Sequence, residues 1–463
     1  MNLKSLLKNK NVLILGLILL FALVLRVYSL SSSPLWFDET ISSVAAKNIA
    51  SKGLPIFDSG AFYSRALIFH YLQGIFVFLF GTSDFAVRFV SVLFGLGTIL
   101  LAFFIGKEFN TKTGIIAALM TSVLFLEVLY SRQARFYQAF QFLFFLTIFL
   151  LYKSRTSKKY AWLASISLIV LVQTQIAGLV LVPFFLFVFF KDHKDWKLFI
   201  LPLLVAIYFG SSFFSVPTTT SVGSAYAEEY SSQLFNSLRA FFLISLIGMP
   251  IAFMKNKRMF YLLLLPAIIM FVGLFFVKLF AIRYAYFLIL SVIIFLSLTF
   301  AYIYHNNKIF GILIIAAAII YPSNIFFETN YLTVVIPQST GSYGTTEPVI
   351  DYKSLSVETK NLILSKNLVT LSSPGVEWYL KKPDYIIPFS LSGLESGFAL
   401  YNGVDSYTGA PVFENQVSEF IFLEDLFGYS KLGPVQVAPV EKMKENCNLI
   451  EQSNTLRVYH CKT

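Results

Sequence analysis

The chain has 463 residues, of which 57% are hydrophobic and only 13% charged, with 51 phenylalanines and a formal charge of +11. So much apolar surface cannot be hidden in one water-soluble core, and it falls in blocks of roughly 15–20 residues between short polar clusters, as membrane helices do. Barrel strands are excluded by block length and uniformity, and lipid leaves helices as the alternative because their backbone groups bond internally.

Lys4, Lys8 and Lys10 precede the apolar run Val12–Val27. No small-residue cleavage site follows, so the run is expected to be an uncleaved first span. Ser29 to about Asp84 is different: Asp38–Ser51 is amphipathic, and Leu67–Phe80 is apolar but short and carries His70 and Gln73. A helix lying at the outer surface is expected there, because a crossing would invert every later basic cluster. Those clusters fall at Lys107/Lys112, Lys153–Lys159, Lys191–Lys197, Lys255–Arg258 and Lys308. Read as cytoplasmic turns, they account for the positive charge without nucleic acid and require two crossings between neighbours. The outer turns are then Ser131–Tyr137 and Gln173-Thr174-Gln175, the latter splitting about thirty residues into a tight hairpin. Leu198–Phe214 goes out and Ala240–Met254 returns, with Ser215–Arg239, carrying Glu228 and Glu229, as the outer loop. Phe260–Val277 exits at Lys278–Tyr284, the next span returns near Tyr304, and Ile309 to about Ile325 is the last. The total is about eleven spans, with the N-terminus inside and the remainder of the chain outside.

From about Phe326 the composition becomes that of a soluble domain. Leu368–Ser372, Gly375–Leu380 and Tyr385–Phe389 read as strand, short helix, strand. Ser390–Gly393 and Tyr401–Pro411 read as loops. Cys447 and Cys461 flank a hairpin turning at Gln452-Ser453-Asn454; a disulfide is expected in an oxidising exterior, two buried thiols being the alternative. His460 alone beside them does not make a metal site. The expected fold class is an all-α polytopic transmembrane bundle (1–325, with 29–84 as an outer loop of surface helices) followed by an extracytoplasmic α/β domain (326–463).

The strongest chemical signal is Pro34-Leu35-Trp36-Phe37-Asp38-Glu39, directly after the first span. Asp38 is either the N-cap of the next helix, with Glu39 in its first turn, or a base; the two roles are compatible, since a cap fixes a carboxylate in place. Cations come to the same outer ends: Arg65, Arg88, Arg132, Arg135, Lys278 and Arg283. Each could be a snorkelling anchor, but together they suggest a cavity for an anionic lipid headgroup, which arginines bind through charge-assisted bonds. Glu127 is expected to pair with a neighbouring arginine. No P-loop, zinc helix, dinucleotide fingerprint or Ser-His-Asp spacing occurs.

In order and spacing these residues resemble the GT-C superfamily of membrane glycosyltransferases, in the branch of the protein O-mannosyltransferases and the lipid A aminoarabinose transferase (glycosyltransferase family 39-like). The acidic pair after the first span is Asp38-Glu39. A basic residue opening an apolar segment is matched by Tyr63-Ser64-Arg65-Ala66-Leu67, and Phe80-Gly81-Thr82-Ser83-Asp84-Phe85-Ala86-Val87-Arg88 matches the passage that follows. Ser131–Tyr137 and Arg283-Tyr284 also look like family positions. The similarity covers the first third of the chain, and Ser64-Arg65-Ala66 stands where relatives often carry His-Pro-Pro or Lys-Pro. The resemblance implies inverting transfer of a sugar from a polyprenyl-phosphate donor to a protein, lipid or glycan acceptor at the outer face of the cell membrane. Asp38 and Glu39 would be the catalytic pair, and Arg65, Arg88, Arg132, Arg135, Tyr137, Arg283 and Tyr284 would contact substrate. No cofactor is called for, a divalent metal being left open, and the partners are the lipid-linked donor, the acceptor and membrane lipid. There are two rivals: a ligase or polymerase using a diphosphate-linked donor, which shares the topology, and a lipid or glycan transporter, which would favour internal repeats and mid-membrane charges where this chain has no such repeat and carries its charges at the outer face.

Overall fold

The computed structural model of the chain describes residues 10–192, 197–214, 225–274, 285–320, 349–371, 374–387, 400–401, 404–414, 417–426, 429 and 434–462. They divide into two units, Met1–Ser29 with Ser91–Thr346, and Leu30–Val90 with Glu347–Thr463.

The first unit is helical. Lys10–Val27 is followed by Thr111–Val123, Phe125–Tyr130, Tyr137–Lys153 and Lys158–Thr174, then by Val182–Asp192, Lys197–Phe214, Ala225–Lys255, Lys257–Leu274, Ile289–Asn306 and Lys308–Ile320. Polar residues set the starts: Asn110 Oδ1 accepts the Thr113 N–H at 2.8 Å, and Ser157 Oγ accepts the Lys159 N–H at 3.2 Å. The turn expected at Gln173-Thr174-Gln175 is present: Lys158–Thr174 ends at an extended Gln175, followed by the short 3-10 helix Ile176–Leu181. The break at Ser131–Phe136 is likewise present. Among the described residues four helical stretches are long and apolar enough to cross a membrane: Lys10–Val27, Asp84–Lys107, Leu238–Lys255 and Tyr286–Asn306. Shorter apolar helical stretches among the described residues are Leu67–Phe80, Ile200–Phe209 and Lys308–Ile320. Close packing replaces the hydrophobic effect where lipid surrounds the helices: a Cβ on Gly248 would lie 1.9 Å from the Phe295 carbonyl oxygen, and Thr299 Oγ1 donates to the Ile244 carbonyl at 2.9 Å.

One expectation needs correction here. The stretch read as an outer loop, Ser215–Arg239, is helical from Ala225 and runs into Ala225–Lys255, with non-helical angles at Leu238. Its alanines, leucines and glutamates are good helix formers, which the polar composition obscured.

In the second unit a five-stranded sheet has the order β2-β1-β5-β7-β6, from β1 (Asn367–Leu371), β2 (Tyr385–Ile387), β5 (Glu419–Asp425), β6 (Cys447–Gln452) and β7 (Leu456–Lys462). A separate hairpin pairs β3 (Leu400–Tyr401) with β4 (Val404–Asp405). The helix Pro374–Tyr379 crosses between the parallel strands β1 and β2, the arrangement expected from the sequence. Alternating side chains of β1 and β5 feed two cores, Leu368, Ile421 and Leu423 on one face and Val369, Phe420 and Phe422 on the other. Cys447 and Cys461 are register partners on β6 and β7 and are joined by a disulfide.

The loop after the first span belongs with this sheet rather than with the bundle to which 29–84 was assigned. Its helix Phe37–Lys52, ending at Gly53 in the left-handed region, packs Ile41, Val44 and Ala45 with Phe57 against Trp378 and Tyr407 of the tail. The helix Leu67–Phe80 has the expected bounds. Sequence separation hid this association, since the partners lie more than three hundred positions apart.

Candidate active site

Asp38 is the second residue of the helix Phe37–Lys52, half-buried, and is not its cap. The capping acceptor is Glu39, whose Oε2 takes the Trp36 N–H at 3.2 Å. Both Glu39 oxygens also meet Arg88, Oε1 accepting from Nε at 2.9 Å and Oε2 from Nη2 at 2.7 Å. Glu39 and Arg88 are fully buried. Arg88 turns its remaining donors to backbone carbonyls: Nη1 to Leu30 at 2.9 Å and Ser33 at 2.7 Å, Nη2 to Pro34 at 3.0 Å. These bonds use every N–H of the guanidinium.

Glu39, expected in the catalytic pair, is the partner of a buried ion pair. Arg88 holds the turn ahead of Asp38 and has no donor left for a phosphate. The two acids thus differ in surroundings: Glu39 is fully buried and fixes the loop, and Asp38 is half-buried.

Arg65 is exposed, at the mouth of the helix Leu67–Phe80. The chain turns sharply there, with Ala66 buried and in the left-handed region at φ 49°. An alanine in that conformation costs about 1–2 kcal/mol. Tyr63, just before, sets its ring edge-on against His70 at 5.1 Å.

The other sequence candidates lie in the first unit. Arg132 is buried, and its Nη1 donates to the carbonyls of Leu25 (2.9 Å), Arg26 (3.1 Å) and Tyr28 (2.7 Å). It caps the C-terminal end of Lys10–Val27. Arg26, which sequence reasoning passed over, does the same for Thr111–Val123, its Nη1 reaching the Ser122 carbonyl at 2.9 Å and its Nη2 that of Thr121 at 3.2 Å. A charge inside an otherwise apolar run was the available signal. Arg135 is buried with its guanidinium over the rings of Phe136 (4.9 Å) and Tyr137 (5.6 Å). Tyr137 is buried beside Tyr130. Glu127 is hydrogen-bonded not to an arginine but to Gln141 Nε2, at 2.7 Å. Gln141 continues through Gln138 to Thr98 and to the Tyr286 hydroxyl, whose ring stacks on Tyr130 at 4.1 Å. Lys278, Arg283 and Tyr284 lie outside the described residues. Among the described residues no group of three or more His, Cys, Asp or Glu side chains is placed to hold a metal ion.

The tail contributes residues that the sequence did not single out. Asp84 is buried, its Oδ1 taking the Trp378 Nε1–H at 3.0 Å and its Oδ2 the Tyr379 hydroxyl at 2.9 Å, with Lys353 Nζ at 2.5 Å. Burial first, then the charge of Asp84, push the Tyr379 phenol far above its ordinary range, so it stays a donor. Glu377 pairs with Lys47 at 3.3 Å, and burial raises its carboxyl despite that ammonium.

Residues 64–218 match the family model described as dolichyl-phosphate-mannose-protein mannosyltransferase. No curated protein sequence matches the chain. Among solved structures, ArnT from Cupriavidus metallidurans bound to undecaprenyl phosphate is similar with a TM-score of 0.65 at 11% identity, covering 96% of this chain and 98% of that one. The archaeal oligosaccharyltransferase AglB from Archaeoglobus fulgidus, in complex with an inhibitory peptide and a dolichol-phosphate, is similar with a TM-score of 0.55 at 12% identity, covering 97% and 74%. The family match covers about a third of the chain, and the fold of the described chain is shared along nearly all of its length with the solved structures of ArnT and AglB.

Proposed function

We propose that the protein transfers a sugar from a polyprenyl-phosphate donor to an acceptor at the outer membrane face, with inversion at the anomeric carbon, and that Asp38 is the general base. The observation that carries the reading is the division of labour in the acidic pair: Glu39 is buried against Arg88 and the Trp36 N–H, whereas Asp38 is half-buried in the first turn of the helix Phe37–Lys52. In the reaction Asp38 takes the proton of the acceptor hydroxyl as its oxygen attacks the anomeric carbon. The bond from that carbon to the phosphate oxygen breaks, and the carrier leaves as a lipid monophosphate. Arg65, exposed on the same unit, and Arg283, assigned by family resemblance, neutralise the departing phosphate. The orientation has the N-terminus inside and the C-terminal domain outside, because a sugar already activated on lipid needs no cytoplasmic nucleotide. A carrier-phosphate donor is supported by the likeness to ArnT bound to undecaprenyl phosphate and to AglB in complex with a dolichol-phosphate.

The test uses purified protein in liposomes, with undecaprenyl phosphate carrying radiolabelled mannose, glucose or aminoarabinose, and protein, lipid and glycan fractions of the envelope as acceptors. Label is expected to move from at least one donor into one fraction, with release of undecaprenyl monophosphate and inverted anomeric configuration. Label retained on lipid with all three donors contradicts the proposal. So does transfer confined to diphosphate-linked donors, or movement of intact lipid across the bilayer without cleavage.

A further inference from the structure

Tyr379 ends the helix Pro374–Tyr379 of the tail, yet its hydroxyl is built into the loop that carries Asp38. It accepts the Leu35 N–H at 2.6 Å while donating to Asp84 Oδ2 at 2.9 Å. Leu35 is fully buried and precedes the helix, so its N–H has no helical carbonyl to meet. The phenol is held in turn: its ring stacks on Tyr352 at 5.8 Å, and Asp84 is anchored by Trp378 and by Lys353, which also donates to the Ser31 carbonyl at 2.8 Å. Trp36 forms a β-bridge with Val349 of the tail. The segment before Asp38 is therefore gripped from two sides. Arg88 gathers the carbonyls of Leu30, Ser33 and Pro34, and the tail takes the amide of Leu35. Other side-chain ties between loop and tail, among them Lys47 to Glu377, Lys382 to Asp58 and Ser59 to the Ser406 carbonyl, fall after Asp38.

We propose that Tyr379 is a positioning residue for Asp38, so that the C-terminal domain sets the geometry of the base through the Tyr379–Leu35 hydrogen bond and is a working part of the active site. The inference rests on the reading of Asp38 as the base. A carboxylate that must reach a hydroxyl within hydrogen-bond distance tolerates little displacement, and misplacement by about 1 Å can cost on the order of a hundredfold in rate.

Tyr379→Phe removes the hydroxyl and keeps the stacked ring. Kinetics with the labelled undecaprenyl-phosphate sugar that serves the wild type best should show kcat lowered roughly ten- to a hundredfold, with KM for the donor little changed. In an Asp38→Asn background the same change should add no further loss, because there is no base left to position. Lys47→Gln and Lys382→Gln should retain wild-type kcat. A normal kcat for Tyr379→Phe overturns the inference, as does an equal loss in the Asp38→Asn background, or an equal loss on breaking the Lys47 or Lys382 ties. If Asp38→Asn itself transfers normally, the base assignment falls and this inference with it. A normal Tyr379→Phe beside an inactive Asp38→Asn overturns the positioning role alone.

Discussion

Glu39 and Arg88 form a bidentate pair with no exposed surface on either side chain. Removing one member of such a pair strands the other charge away from water, at a cost of about 3–5 kcal/mol. Glu39→Ala should therefore lower the melting temperature of the detergent-purified protein sharply and reduce the folded yield, with transfer lost in proportion. A Glu39→Ala protein of wild-type stability that has lost only turnover would return Glu39 to the catalytic pair. Glu377 responds to pH. Burial raises its carboxyl above the ordinary 4.5, against the opposing effect of Lys47, so the folded protein holds that proton at pH values where the unfolded chain has released it. Stability from this group falls as pH climbs from 4.5 through the folded value. Relative to wild type, Glu377→Gln should gain melting temperature as pH rises through that window, and a constant difference would count against the assignment. At this scale the sequence was informative but incomplete. An acidic pair after an apolar block stood out, yet which acid did what depended on Arg88, distant in the chain. An arginine in an apolar stretch reads as a ligand for something external, whereas here the carbonyls of an irregular turn satisfy it. Arg132 likewise meets the orphan carbonyls that every helix end exposes.

Helices and strands were legible where one physical rule dominated. Leu67–Phe80 is bounded by Gly81 and the sharp Ala66 turn, and β1, the helix Pro374–Tyr379 and β2 follow the switch from apolar runs to a short polar helix. The helix beginning at Ala225 was missed because polarity was taken for a loop, although polar residues with high helix propensity form helices readily. The hairpin β6–β7 sits at the sheet edge and is closed by Cys447–Cys461 across a separation of 14 residues. On chain-entropy grounds a loop of that size is stabilised by about 3 kcal/mol. Unreduced peptide mapping should recover Cys447 and Cys461 in one linked species, and Cys447→Ser with Cys461→Ser should melt measurably earlier. Two free thiols in protein isolated from an oxidising exterior would contradict the pairing.

For the whole molecule, the basic clusters predict orientation and the acidic pair predicts chemistry. With the native cysteines replaced, a cysteine at exposed Thr156 should resist an impermeant thiol reagent added to intact cells, and one at exposed Lys442 should react. Labelling at Thr156, or none at Lys442, reverses the topology and puts Asp38 on the wrong side for a lipid-linked donor. The association of the loop Leu30–Val90 with the tail was invisible in sequence, because nothing local to Leu35 or Asp84 announces Tyr379. The most direct measurement of the central claim is transfer by Asp38→Asn. Asparagine preserves shape but takes up no proton at neutral pH, and loss of a general base costs about 10²–10⁴ in rate. The variant should insert and melt as the wild type does while transfer from the undecaprenyl-phosphate sugar falls by about that factor. Near-normal transfer by a folded Asp38→Asn protein would contradict the account.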